Sequence, residues 1–354
     1  MSIFIGIIVL LACFRMQYSG KNEFFKDYLA KDNIQPIKGI FILLVFASHF
    51  SQYVSYTSPL SKPYLLLRQD LGQLIVVPFL FYSGYGVAVS VQKKGIQYIR
   101  SMPIKRFLGV LFQFDIAVLL FWVVQILRGN IVGVKHFLLS LVAWDSLGNS
   151  NWYIFAILAL YLISYFTCFG LSTESELKKQ KEAGWLIFIL SLCLIWILKR
   201  HRPAYCYNTI LVYATGFLYA QYRESIERLC FQSERAYWLI YGVILLLFYI
   251  YRKSWAASLA AYEAASIMFG LIIVLATAKF RINNRILRYC GEHLFSLYIL
   301  QRLPMAVLSW TPIKTNITIY FLCSLALSLL LSWGFDLVIP KIWKRIEGVL
   351  QQSI

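Results

Sequence analysis

Ile37-Lys38-Gly39-Ile40-Phe41-Ile42-Leu43-Leu44-Val45-Phe46-Ala47-Ser48-His49 is an apolar run that carries two ionisable side chains, and its reading decides the fold. Such residues are expensive in hydrocarbon, so they face a cavity, a partner or a pathway. At about 100° per residue, the eleven steps from Lys38 to His49 make three turns plus roughly 20°, so both side chains share one helix face. Their Cα atoms then lie about 16 Å apart along the axis. The plainer alternative is a lysine snorkelling at a helix end and a histidine bonded to a neighbour.

The rest of the chain has the same character. Of its 354 residues, 60% are hydrophobic and only 14% charged, whereas a soluble domain carries about 25%. This composition predicts an all-α, polytopic membrane protein. The net charge of +18 does not indicate nucleic acid, because the basic residues alternate with apolar spans and form no continuous stripe. With a span of about 17–25 residues as template, eleven apolar segments emerge. They lie near residues 2–18, 37–54, 71–92, 107–128, 150–170, 184–198, 206–222, 236–251, 258–278, 291–310 and 317–338. The first lacks a basic leader and a small-residue cleavage site, so it is read as an uncleaved span. The seven cysteines are scattered, mostly within apolar segments, and point to neither a disulfide framework nor a zinc site.

Orientation follows from lysine and arginine. Placing residues 15–38 in the cytoplasm puts twenty-three of the 34 basic residues on that side, in the stretches 15–38, 93–106, 178–181, 223–235, 279–288 and 341–345. Lys199, Arg200 and Arg202 run against this arrangement. The N-terminus is expected outside and the C-terminus inside, with Lys38 at the inner edge and His49 in the outer half of the membrane. A cation at one end and a base at the other suit a long anionic donor threaded from the cytoplasm. The tail from Ile342 to Leu350 has the periodicity of a short interfacial amphipathic helix.

A basic residue, then Gly, an apolar run and His at the eleventh position is followed about thirty residues on by Phe79-Leu80-Phe81-Tyr82-Ser83-Gly84-Tyr85-Gly86. Lys105-Arg106 then opens the fourth segment and Asn151-Trp152-Tyr153-Ile154 the fifth. In the order and spacing of these pieces, residues 34–340 resemble acyltransferase family 3. Its members are integral membrane enzymes that acylate, usually acetylate, sugars of bacterial surface polymers. The resemblance implies a ten-helix core, with residues 1–33 as an added N-terminal helix and connector and 341–354 as a cytoplasmic tail. It also implies residence in the bacterial cytoplasmic membrane, cytoplasmic acetyl-CoA (acyl-CoA) as donor, no metal, and a glycan or lipid-linked sugar as acceptor. With no extramembrane domain expected, later processing of the acyl group either depends on other proteins, such as those of surface-polysaccharide biosynthesis, or does not occur. Two departures stand out. Lys38 occupies a position where the family usually has Arg, keeping the charge but losing the planar fork. Ser296-Leu297-Tyr298-Ile299-Leu300-Gln301-Arg302 lacks the family's second histidine.

His49 is the expected general base, since an alcohol must lose its proton as it attacks a thioester and imidazole is poised near neutrality. Under the resemblance, Lys38, Arg100, Lys105 and Arg106 meet the phosphates of acyl-CoA; for the last three an ordinary positive-inside loop is an equal alternative. Depth along the expected spans places Glu263 and Arg302 level with His49. Glu263 is expected to orient the imidazole, with Arg302 as its counter-ion or as stabiliser of the thioester oxygen; a structural Glu263–Arg302 pair is the alternative. Ser83 and Tyr85 are assigned to packing and the acyl channel. Asn149, Asn151 and Trp152 are assigned to sugar binding, with interfacial anchoring as the alternative for the indole. Asp115 is left between donor contact, proton relay and ion pairing. His136, His201 and His293 have no partners at metal-ligand spacing. Two further function classes fit the composition: a flippase or transporter of lipid-linked glycans, against which no echo of the Lys38-to-His49 pattern is found, and a membrane sensor on the same fold.

Overall fold

The computed structural model describes residues 1–171 and 176–352, with the side chains of 176–181 and 350–352 outside the description. The side chains of Lys178, Lys179 and Lys181 of the charge tally therefore lie outside the description, as do residues 353 and 354 of the tail. The chain is helical almost throughout. Its helices are α1 (Ser2–Cys13), α2 (Lys31–Phe50), α3 (Lys62–Leu71), α4 (Val77–Met102), α5 (Gly109–Leu127), α6 (Val134–Leu141), α7 (Trp152–Gly170) and α8 (Glu176–His201). They continue with α9 (Leu211–Gln221), α10 (Arg223–Cys230), α11 (Glu234–Ser254), α12 (Leu259–Lys279), α13 (Arg285–Glu292), α14 (Leu294–Leu300), α15 (Arg302–Leu308) and α16 (Ile317–Gln352).

Among the described residues, seven helical stretches are long and apolar enough to cross a membrane; one of them, Pro59–Leu127, contains both α4 and α5. Leu239, Leu246 and Leu330 point outward with more than half of their surface exposed, as lipid-facing side chains do and a soluble bundle rarely tolerates. The chain is thus an all-α, multi-pass membrane protein. Three of the eleven expected segments are shorter than a span. α1 has 12 residues and α9 has 11. The tenth segment divides at Gln301 into α14 and α15 of 7 residues each. Pro304 falls in the first turn of α15, where its missing N–H has no intrahelical partner to lose.

Two helix crossings organise the core. At α2 against α13, a Cβ on Gly39 would overlap the Leu287 carbonyl and one on Gly291 would overlap the Gln35 carbonyl. At α4 against α9, Gly84 meets the Tyr213 carbonyl and Gly216 meets that of Phe81 in the same way. Each crossing is therefore a reciprocal pair of glycines that lets two backbones touch, the small-residue packing that membrane helices use in place of a hydrophobic driving force. Lys38 and Ser83, each next to one of these glycines, are held on the most closely packed helices of the molecule.

The connector after α1 is tied down by a ladder of two residues, Gln17–Tyr18 against Phe280–Arg281. Beside it, the fully buried Lys279 donates to the Gly20 carbonyl at 2.8 Å, pairs with Glu234 at 3.6 Å and lies over the Phe24 ring at 4.4 Å. The tail, expected as a separate amphipathic helix, continues α16 through Pro340 without a break. Trp343 packs against Phe112 of α5 at 5.3 Å between ring centroids.

Candidate active site

At the C-terminal end of α2, His49 opens into a cavity of about 420 Å³. The helices that wall it contribute Gln52 from just after α2, Tyr298 from α14, Arg302 from α15 and the turn Asn149–Trp152 that starts α7. The Nδ1 of His49 lies 3.4 Å from the hydroxyl of Ser150, a long bond to a buried partner, and the imidazole faces the Tyr298 ring at 6.2 Å. With Nδ1–H donated to Ser150, Nε2 holds the lone pair a general base needs. The guanidinium of Arg302 stands over the Tyr53 ring at 5.7 Å, its Nε donating to the Tyr53 hydroxyl at 3.4 Å. Among the described residues, no carboxylate lines this cavity. The imidazole, one cation, amides and an indole therefore face a space that takes a neutral or anionic guest.

Depth along the sequence correctly brings Arg302 beside His49 but misplaces Glu263. Its buried carboxylate accepts from the backbone N–H of Leu211, with oxygens at 3.2 and 3.4 Å. It thus serves the unpaired donors and positive end of α9. It neither orients His49 nor pairs with Arg302, and Ser150 stands where an orienting carboxylate was expected. The two asparagines also divide their roles differently from the sequence reading. Asn151 spends its Nδ2 on the carbonyls of Ala143, Trp144 and Asp145 at 2.9, 3.2 and 3.0 Å. It braces the loop in which Ala143 adopts φ +57°. Asn149, held through Oδ1 by the Leu147 N–H at 3.0 Å, keeps its buried Nδ2 without a partner among the described residues. Trp152 lines the cavity, with Tyr205 6.3 Å away.

The basic residues separate. Lys38 lies over the Tyr82 ring at 5.8 Å and within electrostatic reach of Arg106. Arg106 turns inward, donating to the Tyr98 hydroxyl at 3.0 Å with Tyr161 at 6.0 Å. Neither has an ion pair among the described residues. Lys105, its neighbour in the π-helical turn Pro103–Leu108, points away and pairs with Glu347 of α16 at 3.7 Å; Arg100 is exposed. Ser83 stands beside the hydroxyls of Tyr153 and Tyr161. Tyr85, assigned with it, accepts from Arg223 at 3.2 Å and belongs to the link between α4 and α10. Tyr298, Tyr153, Ser83 and Tyr161 thus form a line of polar side chains from His49 to Arg106, with 5.3 Å between the Tyr298 and Tyr153 rings.

Sequence reasoning missed Ser150, the tyrosine line, and the contact of His293 Nδ1 with Asp336 at 2.5 Å, which Ser296 shares at 2.7 Å. Their partners are 40 or more residues away in sequence, and tyrosines within apolar runs look like ordinary packing. Asp115 is half-buried, with one carboxylate oxygen lacking a partner among the described residues. No cluster of three or more His, Cys, Asp or Glu side chains that suits a metal occurs among the described residues, and the cysteines there are free.

Comparison with known proteins bears on the family of the chain. No curated protein and no solved structure gives a match. A family model described as Acyltransferase domain matches residues 32–337, from the first turn of α2 into α16, and so includes every wall of the His49 cavity. By that match over the bulk of its length, the chain belongs to acyltransferase family 3.

Proposed function

We propose that this membrane acyltransferase moves an acyl group, usually acetyl, from cytoplasmic acyl-CoA to a sugar hydroxyl of a cell-surface polysaccharide or its lipid-linked precursor. The observation that carries the reading is the His49 cavity, walled by a histidine, a guanidinium, an indole and Asn149 with its unpartnered amide, and among the described residues by no carboxylate. His49 Nε2 takes the proton of the acceptor hydroxyl as its oxygen attacks the thioester carbonyl. Arg302 stabilises the oxyanion, the C–S bond breaks, and the proton passes from His49 to the CoA thiolate. Trp152 and Tyr205 stack on the sugar, and Asn149 donates to one of its hydroxyls. At the other end of the tyrosine line, Lys38 and Arg106 meet the donor phosphates; two cations that converge without a carboxylate favour an anionic guest. The orientation in this reading keeps the N-terminus outside, the C-terminus inside, and the chain in the bacterial cytoplasmic membrane.

The test is the base-labile O-acetyl content of the surface polysaccharide, read by proton NMR in a deletion strain. Complementation with wild type restores acetate, and His49→Ala at matched membrane abundance does not. A general base contributes about 10²–10⁴ in rate, so the variant leaves acetate at background. Equal restoration by both would make His49 structural and overturn the mechanism. Thioester-dependent transfer by the purified chain then separates an enzyme from a transporter or a sensor.

A further inference from the structure

Beside the His49 cavity runs a narrow apolar slot lined by Ile5 of α1, Leu44 of α2, and Leu67, Arg68 and Leu71 of α3. Ser48, Gly72 and Ile75 wall both spaces, so the slot and the cavity lie back to back. Arg68 is the one charged residue lining the slot, and among the described residues it has no ion pair. The nearest carboxylate in sequence, Asp70, is taken by Arg252 at 2.8 Å. Tyr56, Tyr64 and His49 all fall within electrostatic reach of Arg68. The Tyr64 hydroxyl meets Ser51 Oγ at 2.5 Å, and Ser51 in turn meets Tyr56 at 3.3 Å, so hydroxyls cluster on that flank.

An unpaired guanidinium in an apolar slot suits a ligand that is anionic at one point and hydrocarbon on either side of it. α1, which walls the slot through Ile5, has Ile3, Ile7 and Leu10 exposed. The cavity behind the slot offers an indole and amides, which suit a sugar. We propose that this small slot, about 20 Å³, seats the phosphate of a lipid-linked sugar on Arg68, with the hydrocarbon lying outside it along the exposed side of α1 and the sugar projecting past Ser48 and Ile75 to His49. This rests on the acyltransfer reading for its purpose and narrows the acceptor from a finished polymer to a sugar joined through phosphate to a long apolar chain. It also gives α1 a role. The family match begins at residue 32, so the helix outside it supplies one wall of the slot.

The test is binding, measured without turnover. The full chain in nanodiscs of neutral lipid is titrated by native mass spectrometry with a long-chain polyprenyl phosphate, the matching neutral polyprenol, phosphatidylglycerol and inorganic phosphate. Wild type is expected to retain the polyprenyl phosphate at least about tenfold more tightly than the other three, the value of a charge-assisted bond to a guanidinium. Arg68→Gln is expected to bring the polyprenyl phosphate down to the level of the polyprenol, and Arg68→Lys to preserve most of the preference. Ile5→Trp, which fills the slot from α1 without touching Arg68, weakens the same ligand if the slot is the site. Equal retention of phosphate and alcohol, equal displacement by phosphatidylglycerol, or an unchanged preference in Arg68→Gln would each overturn the proposal. A chain that retains the probe but transfers no acyl group would instead count against the acyltransfer reading alone.

Discussion

Asn149 and Asn151 are equivalent in sequence and opposite in use. Asn151 spends its amide on three loop carbonyls, whereas the amide of Asn149, buried in the cavity wall, has no partner among the described residues. Removing a donor that meets only substrate leaves the free protein intact, while removing one that satisfies buried carbonyls strands them at about 1–3 kcal/mol. Asn149→Ala is therefore expected to lower kcat/KM for the acceptor by about tenfold, one neutral hydrogen bond's worth, with an unchanged melting temperature. Asn151→Ala is expected to melt several degrees lower and to lose activity only as far as the 143–145 loop shifts. Acceptor kinetics beside thermal unfolding of both variants in detergent decide the matter, and a reversed pattern would return the sugar contact to Asn151. Both residues were legible as part of a polar turn opening an apolar helix. Which of the two was free was not, because that depends on carbonyls six to eight residues upstream folding back onto Asn151.

At the scale of elements, α9 shows what depth alone leaves open. Its segment reads as a span of ordinary length, yet only 11 residues are helical and its first turn is buried. A helix that starts inside a membrane protein needs an acceptor for its leading N–H groups, since hydrocarbon offers none. Glu263 of α12 is that acceptor. Glu263→Gln keeps an oxygen for the Leu211 N–H, so it is expected to cost no more than about 1 kcal/mol and to retain most of its turnover. Glu263→Leu strands the α9 N-terminus and is expected to lower both thermal stability and membrane abundance. Turnover per folded molecule is the quantity to compare; a Glu263→Gln protein that folds normally and is inactive would restore a catalytic role. The motif glycines were visible in Lys38-Gly39 and Ser83-Gly84 but their use was not, because the partners Gly291 and Gly216 stand in segments where sequence gives no reason to prefer them. Helix class and the apolar segments follow from composition and period, which are local. The pairing of α2 with α13 and α4 with α9 does not, because it is fixed by shape complementarity between distant stretches.

On the scale of the whole molecule, two stations along α2 are chemically distinct. Lys38, two turns into the helix, gathers with Arg106, with no carboxylate paired to either among the described residues; the C-terminal end opens His49, with Arg302, into the acceptor cavity. Helix geometry sets these stations about 16 Å apart, too far for one group to serve both tasks, so binding of the donor's charge and the chemistry at its thioester fall to different residues. Lys38→Met and Arg106→Met are then expected to raise KM for acyl-CoA by about tenfold or more each, since a cation bonded to phosphate is worth roughly 1.5–3 kcal/mol, while kcat falls little. His49→Ala is expected to do the reverse, lowering kcat at an unchanged KM. A short thioester lacking the nucleotide, such as an N-acetylcysteamine thioester, sharpens the division. Its slower transfer is expected to be indifferent to Lys38→Met and Arg106→Met but to vanish in His49→Ala. Added salt is expected to weaken acyl-CoA binding without affecting the short thioester, because only the former contacts the cationic station. If Lys38→Met impairs both donors equally, Lys38 acts through the packing of α2 at Gly39 rather than on phosphate, and the division of labour along the helix fails.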